Sequence, residues 1–188
     1  MNYKNIIKEA CHIILNGGVI AYPTETVYGL GCDPKQDSAI EKLLSLKQRP
    51  GNKGLIIIAH ELAQFKDFIQ PLSSQQQRTI QSATQATTWI VPALPHLSEL
   101  LCGKHLSDDK KIAIRTSSHP IIQSICNALQ QPITSTSANI SGQATCGNVK
   151  EIHKQFNNLL DYIIDGEVNE NSKPSQIIDL LTGEIIRQ

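Results

Sequence analysis

Residues 55–59 read LIIIA, the longest strongly apolar run in this chain of 188 residues. A strand with one solvated face alternates apolar and polar side chains, and this run shows no such alternation. The run therefore predicts an internal β-strand that is buried on both faces, as in sheets covered by helices.

Helical and strand-like segments alternate on both sides of this run. Apolar residues recur at helical spacing between 6 and 14, and Gly17 and Gly18 end that helix. Further helices are predicted at 37–47, 61–69, 73–83, 120–129 and 149–157, and further strands at 19–22, 87–91, 112–116, 133–135, 162–164, 176–180 and 185–187. The glycine-bearing segment 24–34 is predicted to be a loop. Strands alternating with helices predict an α/β fold, and the absence of repeats and linkers predicts one domain over residues 1–188.

The composition restricts the classes of ligand. The chain has 17 basic and 17 acidic side chains and a formal net charge of zero. Affinity for a polyanion scales with the phosphates that are neutralised, so any such site must be a local cluster of cations. Aromatic residues are only 4% of the chain, which argues against a surface that stacks single-stranded bases.

The sequence also indicates where the chain works. It lacks the run of about 18 apolar residues that a membrane span needs, and charged residues interrupt the apolar N-terminal segment. The five cysteines are odd in number and scattered, without a CxxC pair. This pattern disfavours a disulfide framework and predicts a protein of the reducing cytoplasm.

Four polar clusters are candidates for chemistry. They are PTETVYGLG at 23–31, KQRPGNKG at 47–54, KKIAIR at 110–115 and TSTSANISGQAT at 134–145. Hydroxyls and free backbone N–H groups after a strand suit the ligand edge of an α/β sheet, and closely spaced cations suit a polyphosphate. Each cluster also has an ordinary structural interpretation, as a turn, a solvated helix end, an exposed edge residue or a capping loop. The chain has no GxxxxGK[ST] loop, no GxSxG elbow and no close pair of carboxylates typical of glycosidases.

Taken together, the clusters resemble the YrdC/TsaC family of threonylcarbamoyl-adenylate synthases. The resemblance rests on PTETVYGLG at 23–31, the KxR element at Lys47 and Arg49, IAIR at 112–115, the SxN element at Ser137 and Asn139, PSQIID at 174–179 and IIR at 185–187. Six elements in the family's order, over nearly the whole chain, argue against coincidence. The length is similar to that of the short, single-domain bacterial form.

The resemblance implies a fold and an activity. The fold is a strongly twisted mixed sheet with flanking helices around a positively lined concave groove. The enzyme is a nucleotidyltransferase that joins L-threonine, bicarbonate or carbon dioxide, and ATP into L-threonylcarbamoyl-AMP and releases pyrophosphate. Mg²⁺ arrives with ATP, and the protein holds no metal of its own. The product serves threonylcarbamoyl-adenosine modification of tRNA through partner proteins, and the chain itself can be in direct contact with tRNA.

The resemblance also implies roles for individual residues. The residues that contact ATP are Arg49, Lys53, Lys111, Ser137, Thr145 and Arg187, with Lys111 contributing a backbone contact. Those that hold threonine are Thr26, Arg115, Ser135 and Ser175, with Arg115 on the carboxylate. The catalytic set is Lys47, Arg49, Ser137 and Asn139. In this set Lys47 adds positive charge at the triphosphate, and Asn139 orients phosphates or a Mg²⁺-bound water.

This chemistry suits the residue types. A carbamate formed from threonine and carbon dioxide is already an anionic nucleophile, so the protein needs no nucleophilic serine or cysteine. Its task is to position two anions and to neutralise pyrophosphate as it leaves. Two other functions remain open at this point. One is a non-catalytic RNA-binding module that uses the same cations on phosphates, and the other is an accessory domain that transfers a carbamoyl group from carbamoyl phosphate.

Overall fold

The computed structural model describes residues 3–103, 110–168 and 175–187. The helices are α1 (Tyr3–Leu15), α2 (Asp37–Leu46), α3 (Ser74–Gln81), α4 (Glu99–Cys102), α5 (Pro120–Leu129) and α6 (Val149–Phe156). The strands are β1 (Ile20–Pro23), β2 (Tyr28–Gly31), β3 (Ile56–Ala59), β4 (Thr87–Pro92), β5 (Lys111–Thr116), β6 (Ile133–Ser137), β7 (Tyr162–Ile163), β8 (Gln176–Asp179) and β9 (Ile185–Arg187). The predicted α/β class is confirmed.

The strands form one mixed sheet in the order β7-β1-β2-β6-β3-β5-β4-β8-β9. Strand β3 lies inside this sheet, antiparallel to β6 and parallel to β5, so that Ile57 is opposite both Thr134 and Ile114. Ile57 and Ile58 are fully buried. The prediction of an internal strand from the LIIIA run is confirmed.

The predicted loop at 24–34 is wrong, because it contains strand β2, which pairs antiparallel with β1 and β6. Its glycines are needed for close packing between strands rather than for a turn. A Cβ atom on Gly31 would lie 2.6 Å from the carbonyl oxygen of Thr134 and 2.9 Å from the ring of Tyr22. Glycine at such a position lets a second backbone approach closely.

The predicted helix at 61–69 is also wrong beyond one 3₁₀ turn, Leu62–Phe65. Ile69 instead forms an isolated antiparallel bridge with Ala93. Phe65 and Phe68 are both fully buried. The apolar residues of this segment are therefore satisfied by the sheet and the core, without a continuous helix.

Helices α1 and α5 pack against each other, α1 also contacts β1, and α5 contacts β3. Both helices bury a stripe of residues at helical spacing, as the sequence predicts. The buried residues are Ile7, Ala10, Cys11 and Ile14 on α1 and Ile121, Ile122, Ile125 and Cys126 on α5. Within the three described ranges, no helix combines the length and the apolar character that crossing a membrane requires.

All five cysteines are buried thiols outside any disulfide. Burial raises the pKa of each thiol, to about 12 for Cys32 and Cys126 and to about 11 for Cys102. The pKa values of the Cys11 and Cys146 thiols are also raised by burial. Since the thiolate is the reactive form of cysteine, these side chains behave as small apolar residues.

Candidate active site

A cavity of about 610 Å³ collects most of the predicted site residues. Its wall is built from the turn between β1 and β2, the segment that follows α2, strands β5 and β6, and the β8–β9 hairpin. The predicted residues in the lining are Thr26, Arg49, Lys53, Lys111, Arg115, Ser135, Ser137, Thr145, Ser175 and Arg187. Residues that are far apart in the sequence therefore share one hollow.

Strand β5 places two cations in the cavity, because alternate side chains of a strand lie on the same face. Lys111, Ala113 and Arg115 alternate along β5, and all three line the cavity. Arg115 lies opposite Ile58 on β3 and Thr88 on β4, which places it inside the sheet rather than at an edge. The exposed edge position that the sequence left open for Arg115 is excluded by this register.

The KxR element is shaped by a left-handed residue between its two cations. Helix α2 ends at Leu46, Gln48 has a φ of 49°, and the Arg49 N–H then donates to the Leu44 carbonyl at 3.0 Å. A left-handed residue of this kind ends a helix and reverses the chain. Arg49 thereby enters the cavity lining, where its Nη2 donates to the Gly54 carbonyl at 2.9 Å.

Lys47 lies on the other side of this turn, with only 2% of its surface exposed. Its ammonium donates to the carbonyl oxygens of Ser137 and Asn139, the latter at 2.8 Å, and to Asn139 Oδ1 at 3.4 Å. An ammonium has three N–H donors, so these acceptors use all of them. Lys47 is not in the cavity lining, and this geometry leaves it no donor for a phosphate. Its positive charge still lies directly behind the wall.

Asn139 is likewise outside the lining. Its Oδ1 accepts from Ser137 Oγ at 2.6 Å, and its Nδ2 donates to the carbonyls of Ile140 and Gln143 at 3.0 Å each. The SxN element is therefore a folded turn, clamped from behind by Lys47, that presents the Ser137 side chain. In this geometry Asn139 shapes the wall and does not face the cavity.

The charged side chains in the described cavity lining are all basic. The lining residues that the structure describes include five basic side chains and no aspartate or glutamate. Lys111 pairs with Asp179 at 2.7 Å, and Arg115 pairs with Glu25 at 2.8 Å. The other three, Arg49, Lys53 and Arg187, form no ion pair with a described carboxylate. An anion that enters the cavity therefore meets three cations that the described protein does not neutralise.

Short hydrogen-bonded turns fix the hydroxyls of the site. Thr24 Oγ1 accepts from the Thr26 N–H at 3.3 Å and donates to the Val27 carbonyl at 2.7 Å, which closes the turn between β1 and β2. Ser175 Oγ lies 2.9 Å from Thr88 Oγ1, and the Arg187 guanidinium donates to the Ser175 carbonyl at 2.7 Å. Contacts among the protein's own groups therefore hold these hydroxyls in place.

Sequence reasoning missed Glu25, Ser117 and Asp179. Glu25 stands inside the PTETVYGLG motif, and Asp179 ends the PSQIID motif. Both carboxylates neutralise a cation of the lining from outside it. The sequence shows a carboxylate within each motif but not its partner. Glu25 and Arg115 are 90 residues apart in the chain, and Asp179 and Lys111 are 68 residues apart.

Comparison with known proteins agrees with this architecture. The family Sua5_yciO_yrdC, described as "Telomere recombination", matches residues 12–188. A threonylcarbamoyl-AMP synthase of Vibrio vulnificus (strain YJ016) is 40% identical over 190 residues, which cover 100% of this chain and 98% of that protein.

Two solved structures share the fold at 26% sequence identity. Sua5 of P. abyssi, complexed with L-threonine, matches with a TM-score of 0.82 over 92% of this chain. The chain spans about half the length of that protein, 50%. YciO of E. coli matches with a TM-score of 0.82 over 100% of this chain and 91% of its own.

Proposed function

Because this chain belongs to the Sua5/YciO/YrdC family, we propose that it is a threonylcarbamoyl-AMP synthase, which makes L-threonylcarbamoyl-AMP from L-threonine, bicarbonate and ATP. The observation that carries this function is one cavity in which three cations without a carboxylate partner among the described residues lie beside Arg115 and several hydroxyls. Its volume of about 610 Å³ is within the usual range of small-molecule sites. The full-length likeness to the V. vulnificus synthase supports the same function.

ATP binds at the three cations that have no carboxylate partner in the described part of the chain. Arg49, Lys53 and Arg187 neutralise the triphosphate, and the Thr145 hydroxyl donates a hydrogen bond to it. Ser137 contacts the nucleotide as an acceptor, because its own hydroxyl proton goes to Asn139 Oδ1. The Lys111 ammonium is held by Asp179, so Lys111 contributes its backbone. Arg49 suits the position closest to the reacting phosphate, since a guanidinium can donate two parallel hydrogen bonds to one phosphate group.

Threonine binds at Arg115, whose guanidinium receives the substrate carboxylate. The hydroxyls of Thr26, Ser135 and Ser175 line the same cavity and provide partners for the amine and the side-chain hydroxyl of threonine. This arrangement sets the amino acid beside the nucleotide, which is the geometry that a reaction between two bound substrates requires.

The reaction needs no covalent enzyme intermediate. Bicarbonate supplies carbon dioxide with loss of hydroxide, and the threonine nitrogen forms a bond to the carbon of carbon dioxide. The proton that the nitrogen loses joins the hydroxide as water, and a carbamate remains. A carbamate oxygen then attacks the α-phosphorus of ATP, and the bond from that phosphorus to the bridging oxygen breaks with its electrons leaving on pyrophosphate. The cations of the lining stabilise the charge that develops on the leaving group.

Mg²⁺ enters as part of the nucleotide substrate. The described lining offers hydroxyls and cations but no carboxylate, and the described residues contain no cluster of three or more His, Cys, Asp or Glu side chains. Such a donor set fits a Mg²⁺ that keeps its waters and is held by substrate phosphates. Partner proteins of tRNA modification consume the adenylate in the cytoplasm, and the chain can contact the tRNA directly. The five buried thiols, which form no disulfide, fit that compartment.

The function is tested by measuring pyrophosphate release from MgATP with threonine, serine or no amino acid, each with and without bicarbonate. We expect release to require both an amino acid and bicarbonate and to stop when Mg²⁺ is chelated. Serine lacks one methyl group, which is worth about 1–3 kcal/mol in a pocket, so we expect it to react at least about fivefold more slowly. Release that is indifferent to threonine would contradict the synthase. Salt-sensitive RNA binding without turnover would favour the RNA-binding alternative.

The buried ammonium of Lys47 predicts a pH dependence of nucleotide binding. Burial, with a smaller contribution from the charge of Arg49, lowers the pKa of Lys47 to about 8. Above that pH the side chain loses its charge and one of the three donors that hold the SxN turn. We therefore expect the dissociation constant of MgATP, measured by calorimetry, to rise about fivefold between pH 8 and pH 10, for a loss of about 1 kcal/mol.

A matched pair of variants checks this assignment. Lys47→Met should bind MgATP weakly at pH 7 and show a flat profile above pH 8. Lys42→Met removes a partly exposed lysine that pairs with Asp161 on the surface, and it should keep the wild-type profile. A rise above pH 8 that persists in Lys47→Met would assign the titration to another group.

A further inference from the structure

Glu25 stands at the tip of the turn between β1 and β2, next to the cavity but outside its lining. Its Oε2 accepts from Arg115 Nη2 at 2.8 Å, and its Oε1 accepts from the Ser117 hydroxyl. Both carboxylate oxygens are therefore engaged. The side chain is only about one-third exposed, at 34%.

Ser117 is a fixed support for this carboxylate. It is buried, its N–H donates to the Ala59 carbonyl at 2.9 Å, and its Oγ accepts from the His119 N–H at 3.1 Å. A hydroxyl that already accepts one hydrogen bond directs its own proton elsewhere, and here that proton goes to Glu25. The position of Glu25 is thus set by the end of β3 and the start of α5 as well as by its own turn.

Arg115 depends on this support for its orientation. Within the described part of the chain, Glu25 is the hydrogen-bond partner of the Arg115 guanidinium, and Arg115 Nε is buried without one. An arginine side chain that is free to rotate loses about 2 kcal/mol of rotamer entropy when a ligand must order it. An anchor that is already in place removes part of that cost from the binding step.

Glu25 also changes the charge at this end of the cavity. The pair of Arg115 and Glu25 is neutral overall, whereas Arg49, Lys53 and Arg187 have no described carboxylate partner. A triphosphate gains most from cations that are not neutralised, while a single carboxylate needs only one oriented guanidinium. The pairing therefore separates the two anionic substrates between the two ends of one cavity.

We propose that Glu25 is a positioning residue for the amino-acid site: it holds the Arg115 guanidinium ready for a substrate carboxylate, and its charge keeps the polyphosphate away from that guanidinium. The inference rests on the proposed function, since it takes Arg115 as the threonine site. Glu25 itself does not contact the reacting atoms.

Two variants separate its geometric and electrostatic contributions. Glu25→Gln removes the charge but can still accept from Arg115 through its amide oxygen, while its NH2 group can meet Ser117 only as a donor. Glu25→Ala removes both hydrogen bonds. We expect the KM for threonine to rise about 3- to 10-fold in Glu25→Gln and about 10- to 100-fold in Glu25→Ala, with the KM for ATP changed less than about twofold. In both variants pyrophosphate should become a competitive inhibitor against threonine, whereas in the wild type it should compete with ATP alone.

A double-mutant cycle tests whether Glu25 acts through Arg115. If it does, Glu25→Ala should cost nothing further in threonine KM once Arg115→Ala is present. Asp67→Asn is the matched control, because it removes a carboxylate from an exposed ion pair with Lys35, and it should leave both KM values unchanged.

The results distinguish this inference from the proposed function. Additive effects in the cycle, or equal increases in both KM values for Glu25→Ala, would overturn the positioning role. An unchanged threonine KM in Glu25→Ala would overturn it as well, while a wild-type protein that still needs threonine and bicarbonate would leave the synthase intact. A wild type that releases pyrophosphate without threonine would refute the function itself.

Discussion

Replacing Arg49 with alanine is expected to raise the KM for MgATP by about 100-fold. The KM for threonine should stay within about threefold of the wild-type value. Arg49 is a partly buried cation in the cavity lining, and its Nε is buried without a described partner. Burial lowers the pKa of its guanidinium, but an arginine remains protonated at physiological pH. Removing a charge-assisted hydrogen bond in such an environment costs about 3 kcal/mol. Pyrophosphate release over a range of ATP concentrations measures the effect.

Two further variants serve as comparisons for Arg49→Ala. Arg49→Lys keeps the charge but loses the planar fork, so we expect an intermediate effect of about tenfold. Arg78→Ala removes an exposed arginine of α3 whose side chain bonds only to Gln75 among the described residues, and it should behave like the wild type. If Arg49→Ala bound MgATP normally while folding normally, the triphosphate would have to lie elsewhere in the cavity.

Replacing Gly54 with alanine is expected to lower the free energy of unfolding by about 3–5 kcal/mol. Gly54 has φ 60° and ψ 176°, a backbone region that is essentially restricted to glycine. A Cβ atom there would lie 2.8 Å from both the carbonyl carbon and the carbonyl oxygen of Cys102, and 2.9 Å from the Gly103 nitrogen. These are backbone atoms, so no side chain can move aside. Urea denaturation measures the loss.

Gly142→Ala is the control, since Gly142 also has a positive φ, of 83°, but nothing lies within 4 Å of its would-be Cβ. It carries the conformational cost alone, about 1 kcal/mol. Equal losses in the two variants would mean that the close approach of the 51–54 and 102–103 segments contributes nothing. Gly54→Ala should also weaken ATP binding, because the Gly54 carbonyl holds Arg49.

The parts of the fold that were predictable from sequence are those set by local patterns. The LIIIA run identifies β3 because both of its faces are buried, and the stripes on α1 and α5 identify helices because each needs only its own spacing. Strand β2 was missed because Gly29 and Gly31 look like turn residues until the Tyr22 ring and the Thr134 carbonyl are placed against them. The segment 61–69 was missed because its apolar residues are satisfied by partners that are distant in sequence.

The same distinction holds for the site. The resemblance identified residues such as Arg115 and Ser137, which the structure brings into one cavity. It did not show which way Lys47 points, since that depends on the left-handed Gln48 and on burial against the SxN turn. It also gave Glu25 no role, because the pairing with Arg115 exists only once β5 lies beside the turn between β1 and β2.

The buried thiols make the chain convenient for fluorescent labelling. Because all five native cysteines are buried and held protonated, maleimide dyes should leave them unmodified while the chain is folded. Gln143 is exposed and lies two residues before the cavity-lining Thr145. A dye attached through Gln143→Cys would therefore stand at the rim of the nucleotide site, and its emission could follow substrate binding in real time with the native cysteines left in place.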